Sequence, residues 1–175
     1  QNSGAEVIRR PSELAGDTAT SESALIHALE NLENEDKILP KIVVFLQCTS
    51  PLRYVDDIDN AIELFKNNNL DSLFSVSRYR KYLWTETDGK FVSINFDYQT
   101  ERWMEQEFPV QYEENGSIFV IRREKLLSGN YRFVGKIGIY EMDWLNSFQI
   151  DNEEDFLICD YLLQRNNEKR KKSNL

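Results

Sequence analysis

The sequence predicts an α/β protein with a doubly wound, mostly parallel sheet. Apolar, strand-like blocks such as 42–46 and 73–77 alternate with amphipathic helical segments. A strand–helix–strand order implies a right-handed crossover between parallel strands, with helices on both faces of the sheet. The 175 residues, of which 41% are hydrophobic, are enough for one substantial core. We therefore expect a single domain over 1–175.

Three segments have the helical spacing of apolar residues, namely 21–32, 55–67 and 152–163. Ser21 is a candidate N-cap for the first of them. The basic tail 166–175 lacks periodicity, so we expect it to be helical only in part. Strands are expected at 4–8, 42–46, 73–77, 116–121, 136–140 and 148–150.

Residues 78–112 depart from the alternating pattern and are rich in Tyr, Trp, Arg and Glu. Asp88-Gly89 lies between short alternating runs, which is typical of a tight hairpin turn. We therefore expect 78–112 to form a small antiparallel excursion from the main sheet.

Composition narrows the classes of function. A net charge of −9 disfavours a general nucleic-acid or anionic-membrane surface, and no apolar run approaches the ~20 residues of a membrane helix. His27 is the single histidine, and Cys48 and Cys159 lie far apart, so residue type and spacing disfavour a zinc site. We expect free thiols and a reduced, cytoplasmic protein without nucleic-acid or membrane partners.

Candidate ligand groups follow the predicted strands, because open α/β sheets bind ligands beyond the carboxyl ends of their strands. Arg10 suits phosphate or lies in a solvated surface pair, and Gln47 suits sugar hydroxyls or a base edge, or neither. Asp151 suits Mg²⁺ or caps the following helix, and both roles are compatible. These residues alone indicate a ligand-binding domain whose chemistry stays open.

Four motifs, in order along nearly the whole chain, resemble those of the acylneuraminate cytidylyltransferases. The motifs are Arg10-Pro11-x-Glu13-Leu14-Ala15-x-Asp17, Leu46-Gln47-x-Thr49-Ser50-Pro51-Leu52-Arg53, Tyr112-Glu113-Glu114-Asn115-Gly116-Ser117-Ile118-Phe119, and Ile150-Asp151-x-x-x-Asp155-Phe156. The resemblance implies a Rossmann-like, nucleotide-diphospho-sugar-transferase-like fold. It also implies that a nine-carbon acidic sugar of the sialic acid type attacks the α-phosphate of CTP, giving CMP-sugar and pyrophosphate with Mg²⁺ as cofactor.

The resemblance further implies roles for individual residues. Arg10 and Ser21 would contact the nucleotide, and Asp151 would hold the metal. Asp151 and Gln47 would form the catalytic centre. The sugar would meet Gln47 together with Lys81, Arg102, Phe119 and Phe133. The excursion 78–112 would form a homodimer and reach the partner's active site.

Three departures from the family pattern accompany the match. The Gly-rich phosphate-binding motif is expected upstream of residue 1. Gln149 stands where many members have a second aspartate, and Glu105 stands where many have a sugar-facing arginine, so that Arg102 is the candidate substitute. Two alternatives therefore stay open: a non-catalytic binding or oligomerisation module, and a cytidylyltransferase for another sugar acid, such as legionaminic acid or the eight-carbon sugar of lipopolysaccharide.

Overall fold

The computed structural model describes residues 4–16, 18–100, 103–104 and 106–173. Its main helices and strands, in chain order, are α1 (Ser21–Asn31), β1 (Ile42–Phe45), α2 (Asp57–Asn67), β2 (Ser72–Tyr79), β3 (Trp84–Thr87), β4 (Lys90–Ser93), β5 (Gln111–Arg122), α3 (Arg123–Gly129), β6 (Ile137–Glu141) and α4 (Glu153–Ser173). Within the described ranges, no helix has both the length and the apolar character needed to cross a bilayer.

The central sheet has four strands in the order β1-β5-β2-β6. β1, β2 and β6 share one direction, whereas β5 runs against them between β1 and β2. The predicted α/β fold with a mostly parallel sheet is therefore confirmed. The sequence did not predict that β5 would separate β1 from β2, because strand order depends on long-range pairing that a local pattern does not encode.

Helices cover both faces of this sheet, as a doubly wound fold requires. Alternate residues of β5 point to opposite faces. Ile118 and Val120 pack in one cluster with Phe65 of α2, and Phe119 and Ile121 pack in another with α1 and α3. All four of these β5 side chains are at most 1% exposed. Because both faces are buried, β5 reads as a continuous apolar run rather than an alternating one.

The excursion contains the predicted hairpin, in which β3 pairs with β4 as a separate two-stranded sheet. Asp88 and Gly89 both have positive φ angles, of 51° and 72°. That pair of left-handed residues matches the twist of the flanking strands, which is why Asp-Gly favours this turn. Edge-to-face aromatic pairs join Tyr82 and Trp84 to Phe96, at 4.7 and 5.3 Å between ring centroids.

Several local predictions were wrong. Residues 4–8 and 148–150 form no strand; Ile150 makes a backbone bond to Thr49 (2.8 Å), but three residues without a ladder remain a connection. The helix α3 was not predicted, and α4 extends through the basic tail to Ser173. Thr20, rather than Ser21, caps α1, because its side chain accepts the Ser23 backbone N–H (3.2 Å).

Candidate active site

The loop after β1 is fastened to β5 by the last residue of its motif. The Arg53 Nη2 donates to the backbone carbonyls of Gln47 (3.1 Å) and Ser117 (2.8 Å). Burial lowers the pKa of Arg53, and the charge of Asp57 opposes that shift. A guanidinium stays charged over the physiological range in spite of such a shift, so these are charge-assisted hydrogen bonds. They fix the backbone from which the Gln47 side chain extends.

The backbone of Gly116 lies against the Gln47 side chain. It has a φ of +63° and lies where the pairing of β2 with β5 shifts register. A Cβ at this position would overlap the Gln47 Oε1 and lie 3.1 Å from the Gln149 Oε1. The carboxamides of Gln47 and Gln149 therefore converge over a position whose φ favours glycine and where a side chain would displace Gln47.

Asn115 holds this irregular part of β5 together and is 2% exposed. Its Oδ1 accepts the Ser75 hydroxyl (2.5 Å) and the Ser117 backbone N–H (3.2 Å). Its Nδ2 donates to the Ser147 hydroxyl (3.0 Å), and its backbone carbonyl accepts the Ser50 hydroxyl (3.2 Å). One buried amide thus joins β2, the loop after β1 and the segment that leads to Gln149.

A cavity of about 210 Å³ opens beside this network. The described residues that line it come from the ends of β2 and β5 and from the segment before α4. They are Ser77, Lys81, Glu113, Glu114, Asn115, Trp144, Ser147, Phe148 and Gln149. Lys81, a predicted sugar contact, therefore shares a cavity with Gln149, which the sequence singled out only as a departure from the family pattern.

Asp151 is exposed. The helix capping that was its alternative role is performed by its neighbours instead. The Asn152 side chain accepts the Asp155 N–H (2.9 Å), and Asp155 accepts the backbone N–H groups of Asp151 (3.0 Å) and Asn152 (3.2 Å). Within the described part of the chain, no hydrogen bond or ion pair occupies the Asp151 carboxylate. It is thus available for a ligand.

Mg²⁺ fits these residues in one way. No cluster of three or more metal-binding side chains occurs among the described residues, so a cage built from protein alone is absent there. Mg²⁺ commonly binds through one or two carboxylates and completes its shell with substrate phosphates and water. Asp151 is compatible with a site of that kind. Its role as the metal ligand stays a prediction.

The two predicted nucleotide contacts, Arg10 and Ser21, precede the first strand of the sheet in the sequence. Arg10 is exposed in an irregular segment, and Ser21 is the first residue of α1. No hydrogen bond or ion pair between described residues joins either of them to Gln47 or Asp151. Contact of Arg10 and Ser21 with a nucleotide stays a prediction.

The predicted apolar sugar contacts lie together, but deep. Phe119 is 1% exposed; its ring centroid lies 5.6 Å from that of Phe45 and 6.1 Å from that of Phe133. The Arg132 guanidinium lies 4.8 Å above the Phe119 ring. Phe119 is therefore part of the core on the α1 face, and Phe133 packs over it. Their role in sugar binding stays a prediction, and Arg102 lies outside the described residues, as does Glu105.

A buried ion pair supports the same face. The Glu22 Oε1 accepts from the Arg132 Nε at 2.6 Å, with side-chain exposures of 8% and 15%. Burial favours the neutral carboxyl, but the hydrogen bond and charge of Arg132, with backbone donors, outweigh it and lower the pKa of Glu22. This pair holds Arg132 over Phe119.

Sequence reasoning missed the positioning roles of Arg53 and Asn115 and the convergence of Gln149 with Gln47. Arg53 and Asn115 were visible within two of the quoted motifs. Each of them also has a partner far away along the chain, namely Ser117 for Arg53 and Ser75 for Asn115. Local spacing carries no signal for pairings of that kind.

Comparisons with known proteins agree on one family. A sequence model described as cytidylyltransferase matches residues 1–170. The chain is 32% identical over 169 residues to post-translational flagellin modification protein B of Campylobacter coli, covering 94% of this chain and 71% of that protein. It is 30% identical over 156 residues to N-acylneuraminate cytidylyltransferase of Streptococcus agalactiae serotype III, covering 88% of this chain and 37% of that protein.

The fold comparison is consistent with this result. The crystal structure of 4-diphosphocytidyl-2C-methyl-D-erythritol synthase from Anaerococcus prevotii superposes with a TM-score of 0.55 at 11% identity, over 84% of this chain and 68% of that one. At that identity the likeness concerns the fold alone. The match along residues 1–170 covers almost the whole sequence, and the chain belongs to the cytidylyltransferase family.

Proposed function

We propose that this chain carries the sugar-activating chemistry of an enzyme that couples CTP to a nine-carbon acidic keto-sugar. The observation that supports it most is the convergence of the Gln47 and Gln149 carboxamides over Gly116. A carboxamide both donates and accepts hydrogen bonds, which suits sugar hydroxyls. This arrangement lies in a chain of the cytidylyltransferase family.

The proposed reaction is a displacement at phosphorus. The anomeric hydroxyl oxygen of the sugar bonds to the α-phosphorus of CTP, the bond from that phosphorus to the bridging oxygen breaks, and pyrophosphate leaves. The hydroxyl proton passes to solvent. Such transfers depend on in-line positioning and on neutralised phosphate oxygens more than on covalent help from the protein. Mg²⁺, when bound, supplies part of that neutralisation.

The residues of this chain then have separate tasks. Gln47, on a backbone fixed by Arg53, orients the attacking sugar. Asp151 supplies a carboxylate for the metal at the phosphates, and Arg10 supplies a guanidinium for phosphate oxygens. Ser21 would contact the nucleotide, and Lys81 would face the sugar.

The class of sugar is proposed more broadly than sialic acid. The relative named for flagellin modification is 32% identical to this chain, and the N-acylneuraminate enzyme is 30% identical. Similarity therefore does not favour N-acylneuraminate over another nonulosonic acid. Gln149 also places a neutral amide where the resemblance led us to expect a second carboxylate. We propose a sugar acid of the sialic or legionaminic type.

We also propose that the protein acts as a homodimer through the excursion 78–112. Apolar side chains of this segment are strongly exposed, including Phe91 (69%), Ile94 (59%) and Trp84 (48%). Exposed apolar side chains concentrated in one segment favour an interaction site, and aromatic residues are enriched in interface cores. A second copy presenting the same surface would cover it isologously.

The deciding experiment measures pyrophosphate release with CTP, Mg²⁺ and a panel of sialic, legionaminic and eight-carbon sugar acids. It uses the 175-residue chain beside the full-length gene product. ATP and UTP replace CTP in control reactions. We expect CTP-dependent release with a nine-carbon acid. Release with the eight-carbon acid alone supports the alternative substrate, and silence with every acid supports a non-catalytic module.

A further inference from the structure

A second cavity lies at the end of the sheet that is opposite to Gln47. Its volume is about 390 Å³, which is within the range of small-molecule sites, and its described lining is Leu39, Pro40, Lys41, Arg122, Arg123 and Glu124. Lys41 precedes β1, whereas Gln47 lies beyond the carboxyl end of that strand. At about 3.3 Å per residue, these two positions are roughly 20 Å apart. The cavity is therefore separate from the candidate active site.

The described lining has the opposite sign of charge to the chain as a whole. It carries three cations, Lys41, Arg122 and Arg123, and one carboxylate, Glu124. The whole chain has a net charge of −9. Cations gathered in a concave surface raise the local concentration of anions. The lining therefore suits an anionic ligand.

Both arginines are held by carboxylates that are not among the described lining residues. The Arg123 Nη2 pairs with Glu33, and the Arg122 Nε lies 3.4 Å from an Asp71 carboxylate oxygen. The Arg122 Nη2 also donates to the Asn69 side chain (2.6 Å). These contacts fix the two guanidinium groups in place, but they also offset part of their charge. Binding of an anion would therefore depend on the additional charge of Lys41.

Two donor groups of this lining have no acceptor. The Arg123 Nε is buried and has no hydrogen-bond partner among the described residues. Lys41 is exposed, and its ammonium group makes no hydrogen bond or ion pair within the described part of the chain. Buried donors are paired in the large majority of structures, so an unpaired one calls for an explanation. The oxygens of an anion in the cavity would supply acceptors.

We propose that this cavity binds a phosphate-bearing organic anion, at a second site remote from the candidate active site. A guanidinium matches the geometry of phosphate oxygens, and an ammonium adds a compact charge. Leu39, which is 59% exposed, and Pro40 add an apolar wall to the cations. That combination suits a phosphate ester with an apolar part better than free phosphate. The inference does not depend on the proposed reaction.

The test measures the binding of phenyl phosphate and of inorganic phosphate to the full-length protein by isothermal titration, with divalent metals chelated. The variants are Lys41→Gln, which removes the unpaired cation, and Glu124→Gln, which removes the carboxylate of the lining. Lys90→Gln is the matched control, because Lys90 is an equally charged and exposed residue in β4. Arg10→Ala tests whether the anion binds at the proposed nucleotide site instead.

We expect Lys41→Gln to weaken phenyl phosphate binding by about tenfold, the size of one lost hydrogen bond between charged groups. Glu124→Gln should strengthen it by about threefold, because a nearby like charge is removed. Lys90→Gln and Arg10→Ala should leave the affinity unchanged.

Three results would overturn the proposal. Absence of binding by the wild-type protein, or equal affinities of wild type, Lys41→Gln and Glu124→Gln, would show that the cavity is not an anion site. Loss of binding in Arg10→Ala alone would place the anion at the nucleotide site. Inorganic phosphate binding as tightly as phenyl phosphate would refute the role of Leu39 and Pro40 as an apolar wall.

Discussion

Two features of position 116 oppose a side chain there, namely its positive φ and the closeness of Gln47. Comparing the variants Gly116→Ala and Gly89→Ala separates their effects. The φ of Gly116 is +63°, which disfavours any residue with a Cβ, and that Cβ would overlap the Gln47 Oε1. Gly89 provides a matched control, because its φ is +72° and a Cβ there would have no atom within 4 Å. Gly89→Ala therefore tests the backbone conformation alone, whereas Gly116→Ala adds the displacement of Gln47.

The stability cost should be similar for the two variants. Left-handed conformation costs a non-glycine residue about 1–2 kcal/mol, and alanine recovers about 0.4–1 kcal/mol by restricting the unfolded chain. The free energy of unfolding should thus fall by about 1 kcal/mol in each, or about 3 °C in Tm for a chain of this size. The overlap with Gln47 should add little to the stability cost of Gly116→Ala, because the overlapping atom is the end of a flexible side chain that can move away.

The two variants should differ in catalysis. Displacing Gln47, and with it Gln149, removes about two hydrogen bonds to the sugar, so we expect kcat/KM for the sugar acid to fall by about tenfold or more in Gly116→Ala. Gly89→Ala should retain wild-type kcat/KM. The assays are urea denaturation and pyrophosphate release. Equal kcat/KM in the two variants, at equal stability, would refute the placement of the substrate over Gly116.

Three further predictions concern Asp151, Glu22 and the excursion. Asp151→Asn should abolish turnover without changing Tm, whereas Asp155→Ala should lose about 1 kcal/mol of stability with its cap; normal turnover in Asp151→Asn removes that carboxylate from the mechanism. Because the pKa of Glu22 is lowered, its contribution to stability is complete above the ordinary value of 4.5 and is lost as the pH falls through the lowered pKa. Glu22→Gln should therefore cost about 3 kcal/mol at pH 7 and flatten the acid side of a urea-denaturation pH profile; an unchanged profile contradicts this. Phe91→Glu should dissociate the proposed dimer in sedimentation equilibrium. The control is Phe156→Glu in α4, which should not do so although Phe156 is similarly exposed, at 58%. Equal effects of the two variants would exclude the excursion as the interface.

Local patterns predicted the elements whose cause is local. The hairpin turn at Asp88-Gly89 depends on two residues that tolerate positive φ, and the helix 55–67 depends on apolar spacing along a few turns. Both are present. The strand predicted at 148–150 was wrong for a non-local reason, because three residues form a strand only where a neighbouring strand supplies a ladder.

The candidate site also has some features that local sequence predicts and others that depend on long-range pairing. Polar residues that follow apolar runs made Gln47 and Asp151 candidate ligand groups, since the carboxyl ends of strands bind ligands in such folds, and both roles stay predictions. Gln47 does follow the strand β1, whereas the segment before Asp151 forms no strand. The competition between Gln47 and a Cβ at position 116 depends on a register shift between β2 and β5. Nothing in the spacing along the chain encodes that shift. Gln149 therefore looked like a departure, although its amide lies next to Gln47.

The motif that ends in Arg53 contains a proposed ligand group, Gln47, and also the residues that hold the backbone of this loop in place. Gln47 is the proposed substrate contact, while Ser50 and Arg53 bind backbone carbonyls of Asn115, Gln47 and Ser117. A lysine at position 53 would replace the planar guanidinium, whose Nη2 donates to both carbonyls, with a compact and strongly hydrated ammonium, so the substitution is not conservative here. The spacing within the motif thus follows from geometry, because the loop must turn back far enough for Arg53 to reach the Gln47 carbonyl.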